Sequence, residues 1–275
     1  MSEATGYSRP AIAGSGTIAC GLAACATAVG EVRILARSDA SAWRAEEQAE
    51  RLCERAAGGD ASRLRVTTKL GDLAECDLVV EAIVEDLDPK ASHLAELGEA
   101  VPGADLATTT SSLSIAALAE RSGGGHRLYG LHVFNPVPQM ELVELCLPDG
   151  LAEGIAERAR AFCDALAKRA IEVPDQAGFV VNRLLFPYLF EAVRLLERTG
   201  MDPGDVDACM TLGAAHPMGP LRLLDFEGLD VAVAIGRGLH ADSGEEAHRP
   251  PGRLERLVVE EKLGRKSGAG FYEYG

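Results

Sequence analysis

Six residues near the N-terminus restrict the fold more than any other feature. Gly14-Ser15-Gly16-Thr17-Ile18-Ala19 follows a short apolar segment at 11–13 and opens an Ala-rich stretch at 18–29. A GxGxxA run in that setting predicts a strand, a tight turn and a helix. Gly14 permits the turn, Gly16 lets the backbone approach a pyrophosphate, and the small sixth residue keeps helix and strand close. The backbone N–H groups from Gly16 through Thr17 and Ile18, with the positive end of the helix dipole, then suit a phosphate. A second strand-like segment, 32–36, ends about 20 residues on, the spacing expected of a dinucleotide-binding unit.

The first two-thirds of the chain keeps alternating. Strands are expected at 11–13, 32–36, 66–68, 77–84, 106–110 and 128–133, with helices at 18–29, 41–57 and 89–100 between them. Ser38 or Ser41 is the expected cap of the second helix. The run at 77–84 is nearly continuous in apolar residues, as in a strand covered on both faces. Repeated strand–helix–strand units predict an α/β fold with a mostly parallel sheet. From Gly178 the pattern is helical only, with helices expected at 179–198, 205–213, 221–237 and 252–263. Pro174 and Gly178 punctuate the change. The expected division is a Rossmann-type NAD(P)-binding domain at 1–175 and an all-helical C-terminal domain at 176–275.

Composition narrows the function classes. The formal charge of the 275 residues is −15, which disfavours nucleic acid as a partner. No apolar run is long enough to span a bilayer. The first ten residues resemble neither a signal peptide nor a transit peptide. The seven cysteines, Cys20, Cys25, Cys53, Cys76, Cys146, Cys163 and Cys209, show no CxxC pair and no zinc spacing, so neither a metal site nor a disulfide framework is expected. The reading is a cytoplasmic protein of a reducing compartment.

The end of the second strand bears on the cofactor. NAD sites usually place Asp or Glu there, to bond the ribose 2′-hydroxyl. This chain has Ala36-Arg37-Ser38. Arg37 can pair with a 2′-phosphate and Ser38 can donate to it. NADP is therefore favoured, with NAD possible because Asp39 could still reach a ribose.

Further motifs carry the chemistry. Gly130-Leu131-His132-Val133-Phe134-Asn135-Pro136-Val137-Pro138 continues to Met140-Glu141-Leu142-Val143-Glu144, and Thr110-Ser111-Ser112-Leu113 precedes it. Gly178-Phe179-Val180-Val181-Asn182-Arg183, His216-Pro217-Met218-Gly219-Pro220 and the segment from Gly264 to Tyr272 follow in order. Together these resemble the 3-hydroxyacyl-CoA dehydrogenase family over nearly the whole chain. Oxidising a secondary alcohol removes a hydride from carbon and a proton from oxygen. Histidine as a residue type titrates near neutrality and suits that proton. A carboxylate on its second ring nitrogen fixes the tautomer.

The resemblance implies His132 as acid/base, Glu144 as its partner, and Ser111 and Asn182 at the substrate. It places Glu85, Lys90, Asn135 and Lys266 near the cofactor, beside Gly14, Gly16, Thr17, Ile18, Arg37 and Ser38. Without the resemblance, Glu85 reads as part of a solvated helix N-terminus, and Asn182 as the structural start of a long helix. His216 reads as a packing residue. Lys168 and Arg169 read as surface charges. The family's second strand is followed by a helical hairpin that grips coenzyme A; here the stretch between Arg37 and Val66 has room for one helix and a Gly58-Gly59 turn. The implied reaction interconverts a 3-hydroxyacyl thioester and its 3-oxo form with NAD(P), in a homodimer built through the helical domain. The alternatives are a hydroxyacyl group on a carrier protein, a free hydroxy acid, and a dinucleotide-binding protein without turnover.

Overall fold

The computed structural model describes residues 6–275. The chain divides into two compact units, with the division between Asp175 and Gln176.

The first unit is built on one eight-stranded sheet. Its elements run β1 (Pro10–Ala13), α1 (Thr17–Ala26), β2 (Val32–Leu35), α2 (Asp39–Cys53), β3 (Leu64–Thr67), β4 (Leu78–Glu81), α3 (Leu87–Ala100), β5 (Asp105–Thr108), α4 (Ile115–Ser122), β6 (Leu128–Val133), β7 (Leu142–Cys146), α5 (Ile155–Ala165) and β8 (Arg169–Glu172). The spatial order is β3-β2-β1-β4-β5-β6-β7-β8. All neighbours pair in parallel except β6 with β7. β1, β4, β5 and β6 are buried along their whole length, as strands covered on both faces are. The core packs Ile12, Leu22, Ile34, Val80, Tyr129 and Phe162 into one cluster.

Parallel pairing has a direct consequence for function. Ala13 is level with Glu81, and Glu81 with Thr108, so β1, β4 and β5 end on the same edge of the sheet. β6 runs with them. The loops after these four strands therefore crowd together. The strand order reverses between β1 and β4, the switch point where open α/β sheets bind ligands.

Two strands and two helices lie outside the sequence expectation: β7, β8, α4 and α5. β8 is mostly exposed, so alternation of buried residues is too weak to mark it. β7 is an antiparallel hairpin partner of β6 rather than the next parallel strand, and its short apolar run is read as loop when only the βα pattern is followed.

The second unit contains α6 (Val181–Thr199), α7 (Pro203–Ala208), α8 (Pro220–Glu227), α9 (Leu229–Ser243) and α10 (Gly252–Val259). Phe186, Leu189, Phe190, Leu224, Leu239 and Leu254 form its core. The single helix expected at 221–237 is two, because Gly228 takes φ +101 and breaks the hydrogen-bond ladder between α8 and α9. Among the described residues, no helix is long and apolar enough to cross a membrane.

Candidate active site

The glycine loop follows β1 on the edge where β1, β4 and β5 all end. Gly14 takes φ +152, and a Cβ there would lie 2.2 Å from the Ala82 carbonyl oxygen. Its amide donates to the Leu35 carbonyl, so the loop is clamped between β2 and β4. Gly16 is the N-cap of α1 and its side is open, with nothing within 4 Å of a built Cβ. No side chain caps α1, which leaves its first amides for an anion. This is the cradle a pyrophosphate needs. Gly14→Ala is expected to cost about 1–3 kcal/mol of stability and to weaken NADH binding. Thermal melts and a fluorescence titration check this; an unchanged melting temperature and affinity would refute the close approach.

After β2, Ala36 is buried while Arg37 and Ser38 are exposed. Ser38 is the cap of α2. Its hydroxyl accepts from the Ser41 amide at 3.3 Å, and the Ser38 amide donates to the Ser41 hydroxyl at 3.1 Å. The Asp39 carboxylate accepts from the Thr68 hydroxyl at 3.5 Å. Only α2 and a short 3-10 turn at Ala61–Arg63 separate β2 from β3.

His132 and Glu144 face each other across the antiparallel pair β6–β7, where they are register partners. Opposed residues on neighbouring strands send their side chains to the same face of a sheet. His132 Nδ1 lies 2.7 Å from Glu144 Oε2. The two are 6% and 1% exposed, so the carboxylate acts in a poorly solvated setting. The Phe134 ring packs on the imidazole, with centroids 4.5 Å apart.

The loop between β6 and β7 is fixed from below. Lys168 Nζ donates to the carbonyls of Val137 and Met140 at 2.5 and 2.7 Å. Lys168 is only 6% exposed, so its expectation as a surface charge is corrected: the ammonium replaces water for two loop carbonyls. Arg169 does lie at the surface. Asn135 is exposed, directly after Phe134.

Ser111 lies beyond β5 in a loop organised by Glu85. Glu85 Oε1 accepts from the Ser111 and Ser112 amides at 2.8 and 2.9 Å, and from the Thr110 and Ser112 hydroxyls at 2.7 and 2.8 Å. The Ser111 hydroxyl is 3.3 Å from the same oxygen. Lys90 is not part of a solvated helix N-terminus, whereas Glu85 stands just before the Asp86 cap of α3 and is partly exposed. Lys90 is 1% exposed and pairs with Glu81 at 2.9 Å and with Glu85 at 3.4 Å. Glu81, fully buried, escaped sequence reasoning. Its signal was a carboxylate inside the apolar run Leu78-Val79-Val80-Glu81, since a charge in a buried strand requires a partner.

In the second unit, Asn182 is buried in the first turn of α6. Lys266 pairs with Asp230 of α9 at 2.5 Å. His216 Nδ1 lies 3.1 Å from the Tyr188 hydroxyl. Among the described residues, no cluster of His, Cys, Asp and Glu has the makings of a metal site.

Residues 10–176 match the model of the 3-hydroxyacyl-CoA dehydrogenase NAD-binding domain, and residues 178–274 match that of the 3-hydroxyacyl-CoA dehydrogenase C-terminal domain. The chain belongs to the 3-hydroxyacyl-CoA dehydrogenase family. This dehydrogenase is 43% identical over 213 residues, 77% of either chain, to a probable 3-hydroxybutyryl-CoA dehydrogenase of Deinococcus radiodurans. The crystal structure of FadB2 from Mycobacterium tuberculosis matches with a TM-score of 0.93 and 38% identity, over 98% of this chain and all of that one. The structure of (S)-3-hydroxybutyryl-CoA dehydrogenase from Ralstonia eutropha matches with a TM-score of 0.90 and 33% identity, over 98% and 99%. The dehydrogenase is thus an NAD-binding oxidoreductase fold with a helical C-terminal domain.

Proposed function

We propose that this dehydrogenase interconverts an (S)-3-hydroxyacyl thioester and its 3-oxo form, with His132 Nε2 moving the proton. The observation that carries the reading is the 2.7 Å contact between His132 Nδ1 and Glu144. With Nδ1 committed to a carboxylate, the ring exchanges its proton through Nε2, and the imidazolium formed during oxidation is stabilised by the adjacent anion. In the direction of reduction the same nitrogen returns the proton to the 3-oxygen. A dinucleotide held by its pyrophosphate at the glycine loop would supply the hydride acceptor or donor through its nicotinamide. The Ser111 hydroxyl would exchange its 3.3 Å contact with Glu85 for the substrate 3-oxygen, and Asn182 is the further substrate residue that the family resemblance implies. Asn135 and Glu85 serve the nicotinamide side, Lys90 acting through Glu85, and Lys266 is the further cofactor residue that the family resemblance implies.

NADP is the preferred cofactor. Arg37 is exposed beyond β2, Ala36 offers no repulsion to a 2′-phosphate, and Asp39 is engaged with Thr68. Parallel titrations with NADPH and NADH should show tighter binding of NADPH. Arg37→Ala should weaken NADPH by about 10- to 100-fold, the worth of one charge-assisted contact, and leave NADH unaltered. Tighter binding of NADH by the unmodified enzyme would overturn the preference.

The relatives are named for coenzyme A substrates, and coenzyme A is the first carrier to test. The single helix between β2 and β3 supports a second reading, in which a carrier-protein arm or a free acid replaces coenzyme A, because the family's hairpin has no counterpart of full length here. Turnover of acetoacetyl-coenzyme A, the carrier-protein thioester and free acetoacetate, compared by kcat/KM, separates these. In the helical domain, Leu184 is 70% exposed and Leu212 87%, consistent with a face that pairs in a homodimer.

A further inference from the structure

The carboxylate that organises the Ser111 loop is itself held by a buried charge pair to which the proposed reaction assigns no direct part. Each oxygen of Glu81 has two donors. Oε1 accepts from the Ile83 amide at 2.7 Å and from Lys90 at 2.9 Å. Oε2 accepts from Lys90 at 3.0 Å and from the Thr108 hydroxyl at 2.6 Å. Lys90 Nζ then points its remaining side at Glu85 Oε2, 3.4 Å away. Glu85 Oε2 thus faces the ammonium, and Glu85 Oε1 faces the hydroxyls and amides at 110–112.

We propose that Glu81 is a positioning residue: by anchoring Lys90 in the interior it orients the Glu85 carboxylate, and through it the Ser111 backbone and hydroxyl. The order of contacts runs from the end of β4, through α3, to the loop after β5. It carries one rigid strand's position to the serine across three ionic or charge-assisted links, which are stronger than neutral hydrogen bonds. The kinetic consequence rests on the dehydrogenase reading above; the structural one does not.

Charge governs this device. Five donor contacts at one oxygen suit a carboxylate anion and not a protonated acid. Burial pushes the Glu85 carboxyl up, but the Lys90 ammonium and the donors of Thr110, Ser112 and Ser111 outweigh it and hold it below the usual carboxylate range. Besides Lys90, the charged groups nearest Glu85 along the chain are Glu81 on β4 and Asp86 and Asp88 at the start of α3, with Asp88 paired to Arg121 of α4. A carboxylate held low keeps its loop tied until the pH falls through that lowered value. Removing Lys90 takes away the largest of the influences that lower the Glu85 carboxyl, so the loop releases at higher pH.

The test compares the unmodified enzyme with Glu81→Gln and with the double variant Glu81→Gln/Lys90→Met, whose net charge is unaltered. Hydrogen exchange of the Ser111 and Ser112 amides reads the loop directly, and the pH profile of kcat/KM for acetoacetyl-coenzyme A reads its effect. In the double variant, protection should fall about tenfold or more at pH 6 and the acidic limb should move up by about one unit. In Glu81→Gln the exchange should rise in the same direction, with kcat falling more than KM changes. Unaltered protection and an unmoved acidic limb in a folded double variant would overturn the proposal. If Glu81→Gln does not fold, the double variant decides alone, since its pair is replaced and not broken. If the unmodified enzyme shows no turnover, the dehydrogenase reading fails, and the exchange measurement still decides the positioning role.

Discussion

Replacing His132 by Gln should lower kcat by about 10²- to 10⁴-fold, the usual contribution of a positioned acid/base. Gln keeps a polar group of similar reach but cannot accept and return a proton. The effect should fall on kcat and kcat/KM alike, because the lost interaction exists only while the proton is in transit. NAD(P)H affinity should be unaffected, since His132 lies on β6 and the glycine cradle is built by β1, β2 and β4. Steady-state kinetics with a parallel cofactor titration decide it. Undiminished turnover would move the proton transfer to another group and would also remove the reason for the Glu144 contact. Absence of turnover in both forms, with cofactor still bound, would favour a dinucleotide-binding protein that does no chemistry.

Lys90→Met should be the most damaging single change to stability, costing about 3–5 kcal/mol. The loss is large because Glu81 is fully buried and would retain only Ile83 N–H and the Thr108 hydroxyl as donors. Total stabilities of domains are about 5–15 kcal/mol, so such a variant would sit near its unfolding threshold. Replacing Glu81 as well should restore much of the loss, because two neutral side chains of similar volume need no mutual charge. Urea unfolding of the single and double variants measures both. A single variant within about 1 kcal/mol of the unmodified protein would show that the interior solvates Glu81 by other means.

The alternation of strand and helix, the glycine loop and the change to helices after Gly178 were legible because each depends on residues close in sequence. Gly14 and Gly16 set a local turn, and the Leu78-Val79-Val80 run records burial on both faces of a strand. The motifs around His132, Ser111 and Asn182 were legible for the same reason, as contiguous strings. Interruptions were less legible. Gly228 divides a helical pattern that is apolar on both sides, and periodicity alone does not register one residue's φ. Lys168 looked like a surface cation because nothing in its neighbourhood in sequence shows the two carbonyls, 28 and 31 residues earlier, that receive its protons.

By itself, the sequence determined that a dinucleotide cradle opens the chain, that a sheet follows, and that His132 and Glu144 stand twelve residues apart. Only the tertiary structure decided that this spacing brings them together. β7 turns back antiparallel, and the register sets residue 132 opposite residue 144; a shift of one residue would send the two side chains to opposite faces. The same holds for Glu81, Lys90 and Glu85. Their charges are visible in the string, but which of them neutralises which depends on where β4, α3 and the loop after β5 meet in space.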